Sequence, residues 1–137
     1  MKQKALVLLT IFISLIGNGS TVSHRINYSD FDMSGKVTDV LTPSVISVSD
    51  KTIELEGVDS SGLFGSTYDF LMQDLYRYYT GKQVLVKGNK VYLDLIGSYN
   101  SQSINQMIQE EIDHLREEQY LYVKPYGIYY KSDYEEI

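Results

Sequence analysis

The 137-residue sequence contains no cysteine. This absence excludes disulfide bonds, thiolate metal sites and lipidation of a cysteine behind a leader segment. The protein must therefore be stable through the packing of its side chains alone. Charged residues make up 22 % of the chain and hydrophobic residues 43 %, a balance that indicates one globular domain rather than a disordered chain.

Positive charge is scarce as well. The chain has 12 Lys and Arg against 18 Asp and Glu, for a formal net charge of -6 at pH 7. Binding to nucleic acid depends on Lys and Arg side chains that displace counterions from phosphates. The charge balance therefore disfavours nucleic acid as a partner without excluding a local basic patch, and it leaves open which protein or ligand the chain binds.

No apolar run reaches the roughly 20 residues that a membrane-spanning helix needs. The amino-terminal run from Ala5 to Ile16 follows Lys2 and Lys4 and precedes the small residues Gly17 to Ser20. This pattern predicts a secretory signal peptide over residues 1–20. The protein is then exported, either secreted or associated with the cell envelope, and an uncleaved signal would tether it to a membrane.

The common motifs of catalysis are missing too. His24 and His114 are isolated, without the converging partners that a metal site or a catalytic triad needs. The glycines Gly57, Gly62 and Gly65 lack the spacing of a P-loop or of a dinucleotide-binding turn. Two surface histidines and ordinary loop glycines are the simpler interpretation.

The first half of the chain reads as a linker followed by three strands. Residues 21–34 show little periodicity and predict a linker or a loosely docked arm. Lys36 to Thr42, Val45 to Ser49 and Thr52 to Val58 show the period-two alternation of strands with one buried face. Polar residues between these runs supply the turns.

A helix and a hairpin follow. Apolar side chains at helical spacing from Tyr68 to Tyr79 predict a helix, with Ser66 as its N-cap and Gly81 at its carboxyl-terminal cap. The two short strands that come next are separated only by Gly88 and Asn89. Gly in the first position of a two-residue loop predicts a tight type II′ hairpin.

A second helix is predicted to open with a capping box formed by Ser103 and Gln106. The helical spacing predicts a buried stripe of apolar residues: Ile104, Met107, Ile108, Ile112 and Leu115. It also predicts a solvated face of charged residues: Glu110, Glu111, Asp113, Arg116, Glu117 and Glu118. The helix therefore packs with one side on the sheet.

The order of strands, helix, hairpin and helix predicts an α+β fold that is mainly β, a small and strongly bent β-barrel with helices packed on it. The segment from Tyr120 to Tyr134 carries six tyrosines. Such rings can stack on bases or sugars, or they can seal one end of a small barrel with their hydroxyls in water. The acidic residues beside them favour the second interpretation, and residues 131–137 form an acidic tail.

Five motifs in this order resemble the staphylococcal-nuclease-like (thermonuclease) domain, a nuclease on an OB-type barrel. "GKVTDV" is similar to the opening strand of that family, and "KTIELEGVDSS" is similar to its "R-L-x-G-[IV]-D-T-P" pattern. "GKQVLVKG", "VYLDL" and "SINQMIQEEI" resemble the later strands and the second helix. The resemblance runs from about Gly35 to Pro125 and implies a domain over residues 35–130 that folds as a five-stranded OB-type β-barrel with two or so packed helices.

The resemblance implies a Ca²⁺ site that this chain fills poorly. Asp59 stands where the family has its second metal-binding aspartate, while Thr42, Pro43 and Ser44 stand at the turn that supplies the first. Ca²⁺ takes six to eight oxygen ligands, and the negative charge of the site tunes its affinity. One carboxylate with the hydroxyls of Thr42 and Ser44 would hold it weakly, so Asp59 is better interpreted as a brace for its own loop.

The catalytic positions that the resemblance implies are also changed. Glu54 replaces the arginine that contacts the phosphate, and Gly62 replaces the general-base glutamate. The loop that carries the second arginine has shrunk to Gly88 and Asn89. Reversing a charge at about 4 Å from the phosphate costs up to about 8 kcal/mol at an effective dielectric constant near 20, enough to remove many powers of ten in rate.

Three functions follow as hypotheses. The first is an exported thermonuclease-like domain that has lost catalysis, needs no cofactor and serves as a binding or interaction module. The second is a divergent metal-dependent phosphodiesterase acting on DNA or RNA, with Ca²⁺ or another metal held by Asp59 together with Asp94, Glu54 or Glu56. The third is binding of single-stranded nucleic acid without cleavage.

Overall fold

A computed structural model describes residues 22–123 of the chain and the side chains of residues 22–120. The predicted signal peptide, residues 1–20, lies outside the described residues. So do the acidic tail at residues 131–137 and all of the tyrosine-rich segment beyond residue 123. In the part that is described, no helix combines the length and the apolar character needed to cross a membrane.

The described residues form seven strands in two antiparallel sheets. The larger sheet contains β2 (Met33–Thr42), β3 (Val45–Val48), β4 (Lys51–Glu54), β5 (Gln83–Lys87) and β6 (Lys90–Leu93), in the order β4-β3-β2-β5-β6. The smaller sheet pairs β1 (Ser23–Arg25) with β7 (Ser98–Asn100). Residues 22–34, which read as a linker or a docked arm, thus include β1, a short 3-10 turn and the first residues of β2.

Two tight loops set the register of the larger sheet. Ser49 and Asp50 join β3 to β4 with φ angles of 49° and 69°, the left-handed values that a two-residue I′ loop requires. Gly88, at φ 61°, opens the loop between β5 and β6, so the predicted hairpin is confirmed. β4 ends at Glu54, earlier than the predicted end at Val58, because the chain turns away through Gly57 at φ 81°.

Two α-helices pack beside this sheet: α1 (Gly65–Tyr79) and α2 (Ile104–Val123). The prediction of Ser66 as the N-cap of α1 is wrong, since the helix starts at Gly65 and Phe64 occupies the N-cap without a side-chain bond. Gly81 follows α1 at φ 89°, as a carboxyl-terminal cap residue does.

The predicted capping box of α2 is confirmed by two reciprocal bonds. Gln106 N donates to Ser103 Oγ at 3.1 Å, and Ser103 N donates to Gln106 Oε1 at 3.2 Å. These bonds satisfy two of the backbone N–H groups that a helix start leaves unpaired.

The core lies between the sheet and the two helices. The predicted stripe of α2 is confirmed, since all five of its residues are buried. From α1 the core receives Leu71, Leu75 and Tyr79. The prediction that Glu111 faces water is wrong, because its side chain is fully buried. Its position relative to α1, rather than its polarity, decides its exposure.

A buried amide joins the two edge strands of the larger sheet. In the described residues no ladder pairs β4 with β6, but Glu56 N donates to Asn89 O at 3.1 Å just beyond their ends. Asn105 Nδ2 donates to Glu56 O and to Asn89 O at 2.9 and 2.8 Å, and Asn105 Oδ1 accepts from Val91 N at 3.0 Å. The fold is α+β, with its two sheet edges bridged by α2.

Candidate functional site

Asp59 lies in the loop between β4 and α1 and uses its carboxylate locally. Ser61 N donates to Asp59 Oδ1 at 3.0 Å, the geometry by which an aspartate closes a short turn on its own backbone. This bond from Ser61 holds the pKa of the Asp59 carboxyl below its ordinary value. Asp59 therefore makes the bracing contact that the sequence predicts, while a metal-binding role for it stays a prediction.

Three side chains of α2 hold this loop in place, and we refer to Gln109, Arg116 and Gln119 as the loop clamp. Gln109 Oε1 accepts from Asp59 N at 2.6 Å. Arg116 donates to two backbone carbonyls, from Nη2 to Asp59 O and from Nε to Ser61 O, each at 2.8 Å. Because both carbonyls would otherwise require water, the guanidinium fixes the loop to the helix.

Gln119 closes the far end of the loop clamp. Its Nε2 donates to Gly62 O at 2.6 Å, and its Oε1 accepts from Phe64 N at 3.0 Å. Gly62 has φ 85°, and a Cβ there would lie 3.3 Å from Arg116 Nε. A glutamate at position 62 would thus meet both an unfavourable backbone conformation and the clamp arginine.

Thr42 and Ser44, at the turn between β2 and β3, form a separate group. Thr42 Oγ1 and Ser44 Oγ lie 3.3 Å apart, and Ser44 N donates to Thr42 Oγ1 at 3.2 Å. Glu54 lies opposite Val45 in the β3–β4 ladder. None of these contacts involves Asp59. Two hydroxyls bonded to each other and a carboxylate bonded to its own loop do not fit the oxygen-rich shell of Ca²⁺.

The other proposed carboxylates are engaged elsewhere. Asp94 Oδ2 accepts from Tyr28 Oη at 2.9 Å, and Asp94 Oδ1 accepts from Ile96 N at 3.0 Å. Glu56 is exposed at the edge of a cleft on the other side of β6. Across the described residues, no three His, Asp or Glu side chains are grouped so that they could hold a metal ion.

A polar cleft of about 380 Å³ lies next to the clamped loop. Its walls come from the end of β4, from β6, from the segment after β7 and from the first turns of α2. The lining includes Glu56, Lys90, Tyr92, Gln106, Gln109 and Glu110. Since Gln109 also holds Asp59 N, the cleft and the Asp59 loop share one side chain.

The sequence did not point to the loop clamp or to Asn105. Gln109 and Arg116 are seven residues apart and hence on one face of a helix, but polar residues on a helix normally face water. Their partners are backbone groups about 50 residues away in the chain, which no local pattern identifies. Asn105 is a single polar residue beside an apolar stripe and carries no spacing signal of its own.

No family model, curated protein or solved structure matches this chain. The functional inference therefore depends on the contacts of its own side chains.

Proposed function

We propose that this protein is an exported binding or interaction module on an OB-type β-barrel, similar to a thermonuclease domain but without its catalysis. The observation that carries the proposal is the use of Asp59. Its carboxylate braces its own loop, and Arg116 is occupied by backbone carbonyls of that loop. A guanidinium that could bind a phosphate is instead used to hold the loop.

The barrel is supported by connectivity and by the bridge across the sheet edges. Three antiparallel strands, a helix, a hairpin and a second helix follow one another, as the resemblance implies. An OB-type barrel is partly open, and here Asn105 connects the ends of β4 and β6. We propose that this bridge closes the barrel in place of a strand ladder.

The polar cleft is the proposed binding surface. Glu56 and Glu110 lie on its wall with Lys90, so carboxylates outnumber ammonium groups around it. This lining disfavours polyanions such as single-stranded DNA. It suits a neutral or cationic ligand that accepts and donates hydrogen bonds, or a polar loop of a partner protein.

The first experiment is a Ca²⁺ titration of the isotope-labelled full chain followed by NMR, with single-stranded DNA added afterwards. We expect no calcium-dependent shifts at Asp59, Thr42 or Ser44 and no hydrolysis of the DNA. A panel of amino acids, hexoses and short peptides then probes the cleft, with shifts expected at Glu56, Lys90 and Gln106. Absence of any shift there across the panel would argue against the cleft as the binding surface.

A matched pair of variants separates bracing from metal binding. Asp59→Asn keeps an oxygen that accepts from Ser61 N, whereas Asp59→Ala removes it. If Asp59 is a brace, D59N lowers the unfolding temperature less than D59A does. Calcium-dependent cleavage of DNA or RNA that is lost in both variants would contradict the proposal and establish the phosphodiesterase instead.

A further inference from the structure

Asp74 of α1 and Glu118 of α2 lie near enough to Glu111 for their charges to act on it, and we refer to Asp74, Glu111 and Glu118 as the acid cluster. Glu111 is fully buried, and neither of its carboxylate oxygens has a hydrogen-bond partner among residues 22–120. Asp74 Oδ2 and Glu118 Oε1 are likewise buried and unpartnered in that range. Buried polar atoms in folded proteins are nearly always paired, so this group needs an explanation.

The groups around Glu111 offer its charge no compensation. From α1, Asp74 and Tyr79 face it, and from α2, Glu118 does. The two basic side chains nearby are directed at other members of the cluster: Arg77 bonds Asp74 Oδ1 at 3.1 Å, and His114 Nε2 lies 3.9 Å from Glu118 Oε2. Burial, followed by the charges of Glu118 and Asp74, raises the pKa of Glu111 to about 8.

The acid cluster and the loop clamp share α2, with Gln109 and Arg116 on the side of the helix away from Glu111. Glu111 and Glu118 are seven residues apart and share one face. Gln109, two residues before Glu111, is turned by about 200° from it. Gln119 is turned by only about 80° from Glu111, and the loop that it holds leads directly into α1. A displacement of α2 away from α1 would therefore strain the bonds from the clamp to the Asp59 loop at the same time.

We propose that Glu111 is a proton-binding switch that controls the Asp59 loop. With a proton on Glu111, α2 packs on α1 and the loop clamp holds residues 59–64. When Glu111 loses the proton, repulsion from Glu118 and Asp74 and the cost of a buried charge push α2 outward. The clamp then loosens, and the wall of the polar cleft that contains Gln109 moves.

This inference rests on the proposed function only in taking the cleft as the site that is regulated. The switch itself is tested without any ligand. The full chain is labelled with ¹³C and ¹⁵N, and the Glu111 carboxyl carbon is followed by NMR from pH 4 to 10. Solvent exchange of the Asp59, Ser61 and Phe64 amides is measured over the same range and corrected for intrinsic base catalysis. Amides of the β2–β3 and β5–β6 ladders serve as the internal reference.

Three variants accompany the wild type. Glu111→Gln keeps the shape of the side chain but cannot ionise. Glu118→Gln removes one repelling charge, and Glu117→Gln, at an exposed position of α2, is the matched control.

We expect the Glu111 carboxyl to titrate near pH 8 and protection of the three loop amides to fall at least tenfold between pH 7 and 9 relative to the reference. E117Q should behave as the wild type does, E118Q should shift the midpoint to lower pH, and E111Q should show no fall. Titration of Glu111 near the ordinary glutamate value, or an equal loss of protection in E111Q, would overturn the switch. Neither result bears on whether the polar cleft binds a ligand, which the panel of amino acids, hexoses and short peptides tests separately.

Discussion

Buried polar side chains at the two ends of α2 are hydrogen-bonded, whereas the buried polar side chain in its middle is not. Near the start, Asn105 is almost fully buried and makes three hydrogen bonds to backbone groups. Near the end, Gln119 is equally buried and makes two. In the middle, Glu111 is fully buried and has no hydrogen-bond partner among the described residues.

The difference distinguishes polar groups whose contribution to stability is independent of pH from a group whose contribution changes with pH. The amides of Asn105 and Gln119 are neutral at every pH, so their bonds stabilise the fold unconditionally. A carboxyl group is neutral only while it is protonated, and in a low-dielectric interface its ionised form is strongly disfavoured. The ends of α2 are thus fixed to the β4–α1 loop and to the sheet edges, whereas the stability of its middle depends on pH.

The largest effect is expected at Asn105. Asn105→Ala leaves Glu56 O and Val91 N without the side chain that now pairs them, while Asn89 O keeps its bond from Glu56 N. Unpaired buried groups cost about 1 to 3 kcal/mol each. Because such terms are not additive, we expect a loss of about 4 kcal/mol in the free energy of unfolding, measured by urea denaturation.

Asn105→Asp is the matched control for this change. It keeps an oxygen for Val91 N but removes the two amide donors, so it should recover only part of the loss. A stability of N105A equal to that of the wild type would show that the bridge between the sheet edges is not needed.

A gain of stability is expected at Glu111. The folded-state pKa near 8 lies above the unfolded value of 4.5, so the folded protein binds more protons between these pH values and loses stability as pH rises through this window. At about 1.4 kcal/mol per pH unit, Glu111→Gln should add about 3 kcal/mol at pH 7.

Below about pH 4, where Glu111 is protonated in both states, this gain should disappear. Urea denaturation of the wild type and E111Q at several pH values measures the difference. A gain that is independent of pH would mean that packing, and not ionisation, distinguishes the two side chains.

A smaller loss is expected at the loop clamp. Arg116→Ala removes three charge-assisted bonds, two to the carbonyls of Asp59 and Ser61 and one to the exposed carboxylate of Asp113 on the same helix. Both carbonyls lie in an exposed loop where water can replace the guanidinium, so the expected cost is about 1 to 2 kcal/mol. Arg116→Lys tests the fork geometry, because an ammonium group matches two separate acceptors less well. Full retention of stability by the lysine variant would contradict that geometric role.

The smallest effect is expected at Asp59, where the free energy of unfolding should change with pH in the direction opposite to that at Glu111. The Ser61 bond depresses its folded-state pKa, so the stability it contributes is present above the unfolded value of 3.8 and is lost as pH falls through the folded value. The ionisation of Glu111 lowers the stability of the protein as pH rises, whereas the protonation of Asp59 lowers it as pH falls. Comparing D59N with the wild type between pH 2 and 5 measures the Asp59 slope: the advantage of the wild type should grow with rising pH, and a difference that stays constant or shrinks would contradict it.

Sequence patterns predict the local features of this fold well and the site poorly. The hairpin at Gly88, the capping box at Ser103 and the stripe from Ile104 to Leu115 all depend on residues within one or two turns of each other, and all three are confirmed. The prediction for Glu111 failed because it followed the rule that a charged side chain on a helix faces the solvent, although Glu111 is seven residues from Ile104 and four from Leu115 and so lies on the face of the apolar stripe. That rule holds only if no second helix covers the position.

By itself the sequence determined where strands and helices form, since turn chemistry, caps and hydrophobic period act over a few neighbouring residues. Only the tertiary structure decided what the polar residues of α2 do. The packing of α1 buries Glu111 beside Asp74, and the return of the β4–α1 loop gives Arg116 its carbonyl partners. These contacts join residues tens of positions apart, and their energies depend on distance and burial in three dimensions, which local patterns of residue type do not specify.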